Sequence, residues 1–163
     1  MTRAQYLYLS FMSLGLVAFA VVLQQVGYQG VSFLPCPLCI LQRVAYLGIA
    51  MACLGAYFSN ALRRFFHVLA STFSLFGLGV VFRHIWVIFH PTVSCGLDPL
   101  EVWINQWAIV RWFDWLLKAD GLCSAPLPPI FGLTVPIWSL VWLTVLTTIL
   151  LLTLVSALNK KAN

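Results

Sequence analysis

The sequence predicts an all-α membrane protein, a four-transmembrane-helix up-down bundle with two periplasmic loops. Three observations lead to this fold class: 62% of the 163 residues are hydrophobic, only 8% are charged, and the apolar residues gather into four long runs. A soluble domain carries about 25% charged residues, so this chain cannot maintain a water-soluble surface. Its nine cations form no basic stripe, so the net charge of +5 does not indicate nucleic-acid binding.

Each apolar run is long enough to cross the hydrocarbon core of a bilayer, which takes about 20 residues of helix. We expect the spans at about residues 6–26, 38–58, 65–89 and 137–157. The first run is too long for the apolar region of a signal peptide, and no small-residue cleavage site follows it, so we interpret it as a retained helix. The last run begins just after Pro136, which suits the first turn of a helix. Two short connections make neighbouring helices antiparallel, and we expect a single membrane domain over residues 1–163.

Lysine and arginine are distributed unevenly between the two sides of the predicted bundle. One side receives five of them, namely Arg3, Arg63, Arg64, Lys160 and Lys161. The other side receives only Arg111 and Lys118, within a long loop at about residues 90–135. Because the cytoplasmic side carries the excess of these residues, we expect both termini in the cytoplasm. In a bacterium, the protein then lies in the inner membrane and its two outer loops face the periplasm.

The long loop contains the segment "VWINQWAIVRWFDWLL", which has four tryptophans, at positions 103, 107, 112 and 115. Tryptophan favours the headgroup region, so we expect this segment to lie along the membrane surface. Membrane anchoring and the docking of a partner are both consistent with this composition.

Four of the five cysteines map to the two outer loops, and the fifth, Cys53, lies in the middle of the second span. An oxidising compartment allows the outer four to pair, and the natural pairing is by loop: Cys36 with Cys39, and Cys95 with Cys123. Both pairs can also be structural staples. Four cysteines can hold zinc, but Cys95 and Cys123 are far apart and form no C-x-x-C knuckle, so we expect no metal. Haem attachment needs a histidine directly after the second cysteine, where this chain has Ile40.

The C-x-x-C pair lies at the start of the second span, where a helix begins. The unpaired N–H groups of a first helical turn favour an anion, so a thiolate at Cys39 is stabilised there. Arg43 follows four residues later on the same helix face, and its permanent charge can stabilise a thiolate or a reduced oxygen. The alternative is an arginine that only extends to the headgroups.

A dithiol that works repeatedly must pass on two electrons. The chain has no flavin or dinucleotide fingerprint and no iron–sulfur spacing. A lipid-soluble quinone, ubiquinone or menaquinone, reaches a helix end from within the membrane. We therefore infer from its location that the pair transfers electrons to a quinone.

Three segments together resemble the disulfide bond formation protein B (DsbB) family of bacterial inner-membrane thiol oxidases. They are "PCPLCILQR", "RHIWVIFHPTVSCG" and "DGLCSAPLPPIFGLTVPIWSL". The resemblance covers nearly the whole chain, including its four spans and two outer cysteine pairs.

The resemblance implies a direction of electron flow. A reduced periplasmic thioredoxin-fold oxidase of the DsbA type attacks the Cys95–Cys123 disulfide and forms a mixed disulfide at Cys95. Cys123 then exchanges with Cys36 of the Cys36–Cys39 disulfide and frees Cys39 as a thiolate against the quinone. Arg43 and His84 match the arginine and histidine on the quinone side of the family's site.

Two alternatives remain at the level of sequence. The chain is also similar to vitamin K epoxide reductase, another four-helix, dithiol and quinone-linked enzyme, but that family has its C-x-x-C at the last helix. The second alternative is a non-catalytic tetraspan scaffold stapled by disulfides, in which Cys36 and Cys39 are inert.

Overall fold

The computed structural model describes residues 1–31, 33–90, 99–123 and 128–162. In these ranges every regular element is helical, apart from two isolated β-bridges. The helices are α1 (Arg3–Val26), α2 (Pro37–Phe58), α3 (Arg63–Phe89), α4 (Pro99–Asn105), α5 (Asp114–Leu117) and α6 (Val135–Ala162).

The four long helices, α1, α2, α3 and α6, are apolar enough to cross a membrane, with mean hydropathy between 1.7 and 2.1. They begin one to three residues before the predicted spans, and this confirms the all-α, four-helix membrane fold. The earlier start of α1 has a local cause. Thr2 and Gln5 form a capping box, in which each side chain accepts a hydrogen bond from the other's backbone N–H.

Helix α2 is the central element of the bundle. It packs against α1 and α3, and α3 in turn packs against α6. The apolar window of α2 is 56% buried, compared with 22% for that of α6. Close approach between α2 and α3 depends on Gly48 and Gly55, which face the rings of Phe73 and Phe66. Helix α2 is thus the most buried of the four long helices.

The described part of the long loop covers the first turns of α2. Its buried apolar residues are Ile104, Val110, Leu117 and Ala119, and they pack with Ile40 of α2. The Trp-rich segment is not one helix, because α4, a 3-10 helix (Ala108–Arg111) and α5 follow one another with breaks between them. Trp107 packs edge-on against Trp103, while Trp112 is 82% exposed. The position of this segment along a membrane surface stays a prediction.

Candidate functional site

Cys36 is the residue immediately before α2, and its sulfur caps the helix. Its backbone is extended, with φ −79° and ψ 165°, and its Sγ accepts the N–H of Cys39 at 3.3 Å. Pro37 follows at the first helical position, where a missing N–H costs nothing. The sequence "CPLC" therefore places a sulfur at the positive end of the helix dipole.

Cys36 and Cys39 lie in contact in the dithiol form. Their Sγ atoms are 2.9 Å apart, well beyond a disulfide bond of about 2.05 Å, and both thiols are free. Cys36 is only 2% exposed, whereas Cys39 is half-buried. The pair is close enough to form a disulfide after a small movement of one sulfur.

Burial raises the pKa of the Cys36 thiol well above its ordinary value, and the hydrogen bond from Cys36 to Cys39 acts in the same direction. Cys36 is therefore a protonated thiol at neutral pH while the pair is reduced.

The side chain of His84, on α3, lies beside the Cys36 thiol. It is 3% exposed, and its Nε2 lies 3.7 Å from the Sγ of Cys36. The other ring nitrogen, Nδ1, lies 3.0 Å from the side-chain nitrogen of Gln42. The structure thus brings the histidine implied by the family resemblance to the C-x-x-C pair.

Gln42 is a site residue that the sequence reasoning missed. It follows Cys39 by three positions and therefore shares a face of α2 with it, and its side chain is buried. A glutamine within an apolar span was the available signal, because a buried amide needs hydrogen-bond partners. Gln42 can donate to Nδ1 of His84 through its nitrogen, or accept from it through its oxygen. Gln42 can therefore keep its contact with either neutral tautomer of the His84 ring.

Arg43 is 6% exposed, so its guanidinium is buried within the bundle. Its guanidinium donates to the side-chain oxygen of Gln24 at 2.8 Å, to the carbonyl of Leu116 at 2.7 Å, and to the carbonyl of Ala20 at 3.5 Å. These acceptors belong to α1 and α5, and all of them are neutral. Arg43 thus fixes a positive charge where three elements meet, close enough to Cys39 to act on it electrostatically.

Cys123 of the long loop belongs to the same buried apolar cluster as Cys36, and it is disulfide-bonded. The preceding residues hold it there, because the N–H groups of Asp120 and Gly121 both donate to the carbonyl of Pro35. Its predicted partner, Cys95, lies outside the described residues, so the pairing of these two cysteines stays a prediction.

Three other cysteine, histidine and arginine side chains lie apart from this site. Cys53 is a fully buried free thiol in the main core. His90 is exposed and stacks on the ring of Trp86, so it is separate from the cysteine pair. The guanidinium of Arg83 lies over the same Trp86 ring, 4.4 Å from its centre.

The sulfur atoms of Cys36 and Cys39 and a nitrogen of His84 all lie within 4.8 Å of one another. Two thiolates and an imidazole are ligands that zinc accepts. This group differs from the four-cysteine set considered at the level of sequence. The expectation of no metal stays a prediction.

A family model described as Disulfide bond formation protein DsbB matches residues 2–153 of the chain. Relatives named Disulfide bond formation protein B are similar along most of their length. That of Ralstonia nicotianae is 40% identical over 161 residues, which cover 98% of this chain and 96% of the relative. That of Herminiimonas arsenicoxydans is 44% identical over 151 residues, with coverage of 92% and 91%. That of Cupriavidus pinatubonensis is 43% identical over 147 residues, with coverage of 90% and 88%.

The fold and the buried dithiol define a multi-pass membrane protein of the thiol oxidoreductase class. Within that class, the chain belongs to the DsbB family and has an oxidoreductase role in disulfide bond formation. This membership decides between the two resemblances in favour of DsbB over vitamin K epoxide reductase.

Proposed function

We propose that the protein is a thiol oxidase that reoxidises a periplasmic dithiol protein of the DsbA type and passes the electrons to a membrane quinone. The observation that carries this proposal is the contact between the two outer loops. Disulfide-bonded Cys123 shares a buried cluster with Cys36, which itself touches Cys39. Thiol–disulfide exchange requires such close approach of the sulfur atoms.

The proposed route conserves electrons at every step. A thiolate of the partner attacks Cys95, which breaks the Cys95–Cys123 bond and forms a mixed disulfide. The freed Cys123 attacks Cys36 of the oxidised pair and releases Cys39 as a thiolate. The partner's second thiol then resolves the mixed disulfide, so the partner leaves oxidised and Cys95 is freed. Attack of Cys95 on Cys123 re-forms their bond and leaves Cys36 and Cys39 as a dithiol, which carries the two electrons.

The described residues near the dithiol fit a quinone. Arg43 supplies a fixed, buried cation and His84 an imidazole, and both are hydrogen-bond donors suited to carbonyl oxygens. These two residues would hold the ring beside Cys39. A bound quinone supplies an acceptor for the two electrons and two protons that the dithiol gives up when its disulfide re-forms.

His84 has a proton-transfer role in this proposal. Because burial raises the pKa of Cys36, that thiol needs a base before it can form a bond to sulfur. Nε2 of His84 faces the Sγ of Cys36, and Gln42 holds the opposite side of the ring. The imidazole can therefore accept the proton of Cys36 while Gln42 holds the ring in place.

The orientation of the protein belongs to the same proposal. We infer that it lies in the bacterial inner membrane with both termini in the cytoplasm and the cysteines at the periplasmic face. The five Lys and Arg residues at the terminal side of the bundle support this arrangement.

The test uses purified protein in detergent, a reduced DsbA-type dithiol protein and a soluble quinone analogue. Absorbance of the quinone analogue is followed for the wild type, Cys39→Ser and Cys95→Ser, with Cys53→Ser as a matched control outside the relay. We expect turnover in the wild type and in Cys53→Ser, and a loss of more than about a hundredfold in the other two variants. Absence of quinone reduction by the wild type would overturn the proposal.

A further inference from the structure

A cavity of about 180 Å³ lies at the end of the bundle opposite the cysteines. Its lining includes Met1 and Tyr6 near the start of α1, Arg63 and His67 from the start of α3, and Thr153 from the last part of α6. The cavity thus forms where three membrane-spanning helices meet at the level of their ends. Nothing in the proposed electron route uses it.

A hydrogen-bonded layer closes the inner side of this cavity. The Tyr6 hydroxyl lies 2.9 Å from Nδ1 of His67, and Nε2 of His67 lies 3.0 Å from the carbonyl of Leu150. Tyr6 and His67 are both buried, and both ring nitrogens of His67 are engaged. The layer therefore joins α1, α3 and α6 and leaves the basic groups above it to face the cavity.

In the part of the chain that the structure describes, the basic groups at this cavity form no ion pair with an acidic side chain. Arg63 and Arg64 line it, and the α-ammonium of Met1 is close enough to act electrostatically on His67. All four acidic residues of the chain fall between positions 98 and 120, within the outer loop. Among the described residues, these cations therefore have no anionic partner, so an external anion can pair with them.

Arg63 provides a second, independent observation. Its Nε is buried and has no hydrogen-bond partner among the described residues, although another of its nitrogens donates to Asn60. A buried N–H group without a partner is costly, so an acceptor is expected beside it. Guanidinium groups match phosphate oxygens in charge and in geometry.

We infer that this cavity binds the phosphate group of an anionic phospholipid. Phe65 and Val155, next to the lining residues on α3 and α6, are exposed and give acyl chains an apolar surface. Basic pockets between helix ends at the headgroup level are suited to anionic lipids. This site is independent of the proposed redox function, because it shares no residue with the cysteine relay.

Native mass spectrometry of the purified full-length protein tests the inference, with phosphatidylglycerol and zwitterionic phosphatidylethanolamine added in equal amounts. The variant Arg63→Gln/Arg64→Gln is compared with Arg83→Gln/Arg111→Gln, which removes the same charge at the outer end. We expect bound phosphatidylglycerol in excess in the wild type and the control. Its affinity should fall on the order of tenfold or more in Arg63→Gln/Arg64→Gln. Equal binding of both lipids, or an equal loss in both variants, would overturn the inference.

Two further measurements distinguish loss of binding from misfolding, and a lipid phosphate from a soluble one. Arg63→Lys/Arg64→Lys keeps the charge and should retain part of the phosphatidylglycerol preference, which a variant that merely misfolds would not. Thermal unfolding in detergent is followed with short-chain phosphatidylglycerol and with inorganic phosphate. Stabilisation by the lipid but not by inorganic phosphate supports the inference. Equal stabilisation by inorganic phosphate would overturn it and show that the cavity binds a soluble anion.

Discussion

Cys36 differs from an exposed cysteine in its burial, its hydrogen bonds and its neighbours. It caps α2, touches Cys39 and faces His84 of α3, and it shares a buried cluster with Cys123 of the long loop. These neighbours come from three segments of the chain. The chemistry of one sulfur is therefore set by the packing of several elements around it.

A prediction at the residue scale concerns the ionisation of Cys36. Burial is the largest cause of its raised pKa and the contact with Cys39 the second, so the pKa should stay raised in Cys39→Ala. Because a raised pKa lowers the thiolate fraction, alkylation of Cys36 should keep accelerating above pH 8.5, about the midpoint of an exposed thiol. The measurement is the pH profile of alkylation, with the modified site located by mass spectrometry. A midpoint at or below that of an exposed cysteine would contradict the prediction.

At the scale of elements, α2 carries most of the candidate site. Cys39, Gln42 and Arg43 lie within two turns of it, and Cys36 caps it. Its central position requires that α1 and α3 approach closely, and glycines make this possible on the α3 side. The position of the site thus depends on packing deeper in the same helix.

Gly48→Ala tests this packing. A Cβ at Gly48 would overlap the ring of Phe73, whereas a Cβ at Gly79 of α3 would meet no atom within 4 Å. Both changes give the same gain in helix propensity of about 1 kcal/mol, so their difference isolates the overlap. We expect Gly48→Ala to destabilise the protein by about 1–3 kcal/mol relative to Gly79→Ala in thermal or denaturant unfolding in detergent. Equal stability of the two variants would show that α2 and α3 are packed loosely here.

Gly121→Ala tests the contact between the two outer loops. A Cβ at Gly121 would overlap the backbone carbonyl of Leu34, which no side-chain rotation relieves. The segment that carries Cys123 should therefore move away from Cys36. We expect quinone-linked turnover to fall about ten- to a hundredfold, because small displacements of reacting groups have effects of this size.

Formation of the mixed disulfide with the partner should continue in Gly121→Ala, because this step uses Cys95 in the proposed route. Gly79→Ala adds the same methyl group in open space and serves as the control. Unchanged turnover in Gly121→Ala would show that the loop contact is not needed for exchange.

The whole molecule has two chemically different ends. Among the described residues, one end holds the dithiol and the acidic residues Glu101, Asp114 and Asp120, and the other holds Arg3, Arg63 and Arg64. We therefore expect the cation-rich end to face the cytoplasm.

Reporter fusions test the orientation. Alkaline phosphatase needs an oxidising compartment, so it should be active when fused after Asp120 and inactive when fused after Asn163. A cytoplasmic fluorescent reporter should show the opposite pattern. Phosphatase activity in the fusion at Asn163 would overturn the proposed arrangement of the termini.

The sequence determined the fold class and, to within a few residues, where each of the four long helices begins. The four spans follow from apolar runs of sufficient length, because lipid forces every backbone polar group in them into helical hydrogen bonds. The sequence also predicted the C-x-x-C pair at the start of a helix, because "CPLC" precedes an apolar run and Pro37 fits the first helical position. These features are local, so sequence spacing is enough to predict them.

Only the tertiary structure decided which distant residues meet. His84 reaches Cys36 across 48 positions, Arg43 reaches the carbonyl of Leu116 across 73, and Gln42 joins His84 across 42. The sequence placed Arg43 on the face of Cys39, but its hydrogen bonds go to α1 and α5 because the packing of these elements supplies the acceptors. Contacts of this range depend on how the helices rotate and approach, which is decided by close packing of the whole bundle rather than by any local pattern.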